Sequence, residues 1–240
     1  MTRIRLGGLI AVAIGPLAWC VALGALVGGD PMLAVEVAGG GLALAWASLV
    51  VRNLADLRWD ARALAAEADP AEIFGVPCHV TSALGADAVV VGALRPQIYV
   101  GRAMLSALST DELRAVLYHE DHHRRTFAPL RAAALGAWLR LLGRSAVVRG
   151  HILDRLTDLE TLADADAIRR GSTARSLARA LIKGDASPQP ASFAYAAERR
   201  VGQLLARADG AAVDAAGRLP YEWLPVLLLG VATLGCHAGL

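Results

Sequence analysis

Charge, aromatic rings and lysine are all in short supply in this sequence of 240 residues. Charged residues make up 19%, short of the usual quarter, and such a chain is not a disordered, self-repelling one. Aromatics are only 5%, which excludes a platform of rings on which bases stack. The net charge of +2 is small and spread along the chain, so nucleic acid is not expected among the partners. Lys183 is the only lysine, a bias of the kind a GC-rich genome imposes. The three cysteines, Cys20, Cys78 and Cys236, include no pair spaced as a metal knuckle and offer no disulfide framework. They read as small buried hydrophobes.

Apolar residues, by contrast, are plentiful at 55%, with a mean hydropathy of +0.45 that is high for a soluble domain. They concentrate at the ends. Residues 6–29 carry no charge, and residues 32–51 carry only Glu36. Each run reaches the roughly 20 residues a helix needs to cross a hydrocarbon core. Gly28-Gly29-Asp30-Pro31 is a turn signal between them, so the pair predicts a transmembrane hairpin. A cleaved signal peptide competes for the first run, given its basic start Thr2-Arg3-Ile4-Arg5. The second run directly behind it favours the hairpin. Trp19 ahead of Cys20 argues against lipoprotein processing. Residues 223–240 are again uncharged, with Trp223 where an interfacial anchor belongs, and predict a third span. Arginines set the orientation: Arg3 and Arg5 precede the first run, while Arg52, Arg58 and Arg62 follow the second. The expected arrangement is a multi-pass protein of the cell membrane whose middle faces the cytoplasm. The bilayer itself is then a partner.

The expected domains are a transmembrane hairpin over 1–52, a cytoplasmic working domain over 53–220 and a C-terminal span over 221–240. Within the middle, residues 58–69 predict an amphipathic helix ended by Pro70. Residues 79–81, 88–91 and 97–100 predict short strands, separated by Gly85 and Arg95-Pro96. From Ser109 the pattern is helical almost to the end, broken by a Gly- and Pro-rich loop at 184–190.

Residues 119–123 read His-Glu-Asp-His-His, so His119, Glu120 and His123 satisfy H-E-x-x-H. Histidines four apart on a helix share a face and can bind one metal ion. The adjoining Glu120 is then placed to take a proton from a water at that ion. Ser109 as N-cap and Glu112 three residues on predict a capping box, and Leu113, Val116 and Leu117 predict a buried face that the motif continues.

A catalytic zinc site needs a third protein ligand and one open position. Glu160 and Asp164, one helical turn apart and flanked by Ala163 and Ala167, are the candidates. Glu160 is the natural ligand, and Asp164 the acceptor that orients a ligand imidazole. Both ligand sources must lie on one side of any membrane, and residues 124–159 cannot hold two spans of about 20 residues plus a turn. Residues 127–142, which also carry Arg131 and Arg140, therefore predict an interfacial or buried helix rather than a span.

The stretches Gly92-Ala93-Leu94-Arg95-Pro96-Gln97-Ile98-Tyr99-Val100-Gly101-Arg102 and Leu108-Ser109-Thr110-Asp111-Glu112-Leu113-Arg114-Ala115-Val116-Leu117-Tyr118-His119-Glu120 resemble membrane zinc peptidases of the BlaR/MecR regulator type. They are also similar to the HtpX and CAAX-prenyl endopeptidases. The likeness covers roughly residues 75–205, and Glu160-x-x-x-Asp164 matches a downstream motif of those relatives. It implies a mainly α membrane protein, with transmembrane helices plus an α+β zincin-like metallopeptidase domain holding a small β-sheet. It further implies Zn2+ bound by His119, His123 and Glu160, Glu120 as base, and Asp164 behind a ligand. Arg200-Val201-x-x-Leu204 resembles a late element of the relatives, which makes Arg200 a candidate for substrate or transition-state contact, beside its reading as a surface arginine. The implied function is regulatory proteolysis of a protein or peptide, either a cytoplasmic repressor or a membrane protein. The alternative is a non-catalytic metal-binding regulator or sensor. Two departures stand out: no room for an outer penicillin-sensing domain, and Asp121-His122 where a small or apolar pair is commoner.

Overall fold

The computed structural model describes residues 31–184 and Leu204, with side chains over 39–183 and at Leu204. By its contacts the chain divides into two compact units, Met1–Arg52 with Leu219–Leu240, and Asn53–Arg218. The runs at 6–29 and 223–240, with Cys20 and Cys236, lie outside the described residues, as does Arg200.

The described residues form six helices and a four-stranded sheet, an α+β arrangement that corrects the expected membrane fold. The second apolar run belongs to helix α1 (Pro31–Ala65). Among the described residues no helix is long and apolar enough to cross a membrane. Helix α1 runs on without a break past the apolar run, through Arg52, Asp56, Arg58, Asp60 and Arg62. Its burial is one-sided, with Ala45, Trp46, Leu49 and Val50 buried while Leu44 and Val51 are exposed.

Helix α1 stops at Ala65, short of the Asp69 limit read from the sequence, and the chain enters strand β1 (Asp69–Ile73). A two-residue turn follows, with Phe74 at φ 53° and Gly75 at φ 75°, and leads into β2 (Val76–Thr81). Left-handed conformations at both turn positions match the right-handed twist of a hairpin. Phe74 keeps this conformation because its ring packs against the core, with the Arg114 guanidinium 5.0 Å from the ring centre. Strands β3 (Ala88–Val91) and β4 (Gln97–Gly101) complete a sheet of order β1-β2-β4-β3. β2 and β4 are parallel, with His79 opposite Tyr99, and the outer pairs are antiparallel. Gly101 is required where β4 ends, since a Cβ there would lie 2.1 Å from the Gly85 carbonyl oxygen.

Five helices follow: α2 (Arg102–Ala107), α3 (Thr110–Arg125), α4 (Ala128–Leu142), α5 (Ala146–Arg169) and α6 (Ala174–Gly184). Val76, Cys78, Val90, Ile98 and Val100 from one face of the sheet bury against Leu113 and Leu117 of α3. On another side of α3, Ala115 meets Ala167 of α5, Leu177 and Ala178 of α6, and Leu204. Helix α3 is thus enclosed between the sheet and two helices. The 127–142 segment is the partly buried helix α4, held to α5 through Leu135, Ile152 and Leu159. Phe127, left-handed at φ 53°, turns the chain sharply between α3 and α4.

Candidate metal centre

The motif helix begins on the capping box expected of it. The Ser109 N–H donates to Glu112 Oε2 at 2.8 Å, and the Glu112 N–H donates to Ser109 Oγ at 3.4 Å. Two otherwise orphaned donors are satisfied and the first turn is fixed. With Leu113 and Leu117 anchored on the sheet, the same helical spacing turns His119 and His123 inward, and both are buried.

The ligand candidates come together. His119 Nε2 lies 2.9 Å from His123 Nε2 and 3.3 Å from Glu160 Oε2, and His123 Nε2 lies 3.4 Å from Glu160 Oε1. Ligands about 2.0–2.1 Å from a tetrahedral zinc sit roughly 3.3–3.4 Å apart, so two edges of this triangle have that length and the third is slightly short. Both histidine side chains are about nine-tenths buried, whereas that of Glu160 is 33% exposed. Glu160 is the member of the group most open to solvent. His119 and His123, both buried, and the partly exposed Glu160 thus form a group that could hold a metal ion.

Behind His119, Asp164 Oδ1 stands 2.8 Å from Nδ1. A buried carboxylate there favours the proton on Nδ1, and Nε2 is the nitrogen turned toward His123 and Glu160. His123 Nδ1 is buried and has no hydrogen-bond partner among the described residues. Glu120, half-buried, follows His119 on α3.

The two positions inside the motif carry a second set of contacts, which sequence reasoning missed. Buried Asp121 receives Arg124 Nη2 at 2.7 Å and Nε at 2.9 Å, Arg125 Nε at 3.2 Å, and Arg170 Nη1 at 2.7 Å. Buried Asp166 receives Arg169 Nη2 at 2.6 Å and Arg125 Nη2 at 2.5 Å, and His122 Nδ1 lies 3.3 Å away. Burial opposes ionisation of Asp166, but Arg125, then His122 and Arg169, hold its carboxyl below the usual carboxylate range. Burial pushes the His122 imidazole below its ordinary value even though Asp166 pulls the other way, so His122 is neutral at neutral pH. The doublets Arg124-Arg125 and Arg169-Arg170 were the available signal, since each sits within a turn of one of the two aspartates.

No protein-family model, curated protein or solved structure matches this chain.

Proposed function

We propose that the chain is a zinc-dependent endopeptidase acting on a protein or peptide substrate, in regulatory proteolysis of the kind the BlaR/MecR resemblance implies. The observation that carries this reading is the triangle of His119, His123 and Glu160 ligand atoms with Asp164 set behind His119. Two imidazoles and one carboxylate are a donor set that suits zinc with one position left open.

A zinc ion bound there supplies Lewis acidity, polarising a peptide carbonyl and bringing the pKa of a water toward neutrality. Asp164 holds the His119 ring and its tautomer. Glu120, adjacent to His119, takes the proton of the attacking water on its carboxylate and returns it to the leaving amine nitrogen. Among the described residues the sheet order leaves β3 hydrogen-bonded on one side only, to β4, and β3 also packs on α3. Its free edge supports main-chain pairing of an extended peptide beside the motif helix.

The test is zinc content and casein hydrolysis of the purified chain beside Glu120→Gln and Glu160→Gln. The expected result is about one zinc per chain, retained in Glu120→Gln, with hydrolysis down by about 10²–10⁴-fold. Glu160→Gln loses both. Zinc retained with no hydrolysis to lose places the chain instead among non-catalytic metal-binding regulators. A wild-type chain that holds no zinc after chelator-free purification rejects the metal reading.

A further inference from the structure

Helices α3 and α5 bring the metal ligands together, and the side chains buried along them include several alanines. Ala115, Ala163 and Ala167 are all fully buried. Alanines allow close approach but form shallow ridges, so packing alone resists a slip of one helix along the other only weakly. A metal site tolerates little slip, because its ligand distances must hold within about 0.2 Å.

We propose that Asp121, Arg125, Asp166 and Arg170 form a reciprocal clamp that sets the register of α3 against α5 and so positions the metal triangle. The proposal rests on the metal reading of His119, His123 and Glu160. Each helix contributes one buried carboxylate to the clamp, Asp121 or Asp166, and each of these is reached by an arginine of the other helix. Arg170, which caps α5, reaches Asp121 of α3, and Arg125 of α3 reaches Asp166 of α5. Arg125 also touches Asp121, so one guanidinium spans both carboxylates. Arg170 additionally lies over the Tyr118 ring, 4.0 Å from its centre, beside His119. A slip would strand buried charge, which is far more costly than sliding alanine over alanine, and fixing register is a well-attested use of buried ion pairs. The Asp121-His122 pair inside the motif thereby acquires a role as half of the clamp.

Arg170→Gln and Asp166→Asn in the full chain test it. Zinc affinity is read by competition with a chromogenic chelator, ligand geometry by the Co2+ absorption spectrum, and folding by melting of the metal-free protein. Each variant is expected to bind zinc about 10-fold more weakly and to show an altered Co2+ spectrum, with Arg170→Lys recovering part of the affinity. Variants that melt earlier yet keep wild-type affinity and the wild-type Co2+ spectrum overturn the clamp and leave the metal site standing. If Asp166→Asn does not fold, Arg170→Gln decides alone, since Arg170 is the more exposed partner. A wild-type chain that binds neither ion removes the metal reading itself, and the clamp with it.

Discussion

At the scale of single residues, the contact behind the motif is that of Asp164 with His119. The Asp164 carboxylate lies 2.8 Å from Nδ1 and is almost wholly buried, so water does not compete for the contact. Asp164→Ala is expected to weaken zinc binding by about 10–100-fold, and Asp164→Asn by less, because the amide oxygen still accepts from Nδ1. Chelator competition measures both, and equal affinities in all three proteins would show that another group sets the tautomer. This pair was readable from the sequence because Glu160 and Asp164 stand one turn apart and their helix had an H-E-x-x-H partner to face. Asp121 and His122 were visible only as a departure from a commoner pattern. Their cross-helix partners are remote in the chain, Arg170 lying 49 residues beyond Asp121, and no local spacing rule links such positions.

At the level of elements, the N-terminus of α3 is tied to the end of α6. Lys183 Nζ lies 2.6 Å from Glu112 Oε2 and donates a longer bond to the Ala107 carbonyl oxygen at 3.4 Å. The sole lysine of the chain thus completes the capping box. Its hydrogen bond, then that of the Ser109 N–H, hold the Glu112 carboxyl below the usual glutamate range. Because the folded value is the lower one, this contribution is complete above the unfolded value of about 4.3 and is lost as pH falls through the folded value. Between pH 5 and pH 3, the melting temperature of the wild type should therefore fall further than that of Lys183→Met. Parallel slopes would show that the pair contributes nothing. Ser109→Ala should cost about 1 kcal/mol, read by urea unfolding. The cap, α3 and the cores of three strands were readable because each is a local pattern. Strand β1 was not: its hairpin turns on Phe74-Gly75 rather than Asn-Gly, and only the core contact of the Phe74 ring explains a left-handed phenylalanine. Pro70 looked like a helix terminator and is instead the second residue of an edge strand, where its missing N–H is tolerated.

At the scale of the molecule, hydropathy misled over residues 32–51, since among the described residues no helix is long and apolar enough to cross a membrane. Residues 32–51, rich in alanine and glycine, read as a span, whereas the helix there continues into charged sequence. The same small residues build the Asn53–Arg218 unit by close helix packing, and its interior holds a triangle of ligands facing one another at about 3 Å. Without an ion, Nε2 faces Nε2 and a carboxylate faces two imidazoles, so bringing these groups together carries a desolvation cost that metal binding offsets. A metal that binds only the folded chain adds RT ln(1 + [L]/Kd), about 2.7 kcal/mol at a free concentration 100 times Kd. For a unit of this size that corresponds to a rise in melting temperature of roughly 5–10 °C. Chelation should lower the melting temperature of the zinc-loaded chain by that amount, and restored zinc should return it. Glu160→Gln should respond little to either treatment, because two imidazoles alone do not close the site, whereas Glu120→Gln should respond like the wild type. An equal response in Glu160→Gln would mean that zinc stabilises the chain from somewhere other than the junction of α3 and α5.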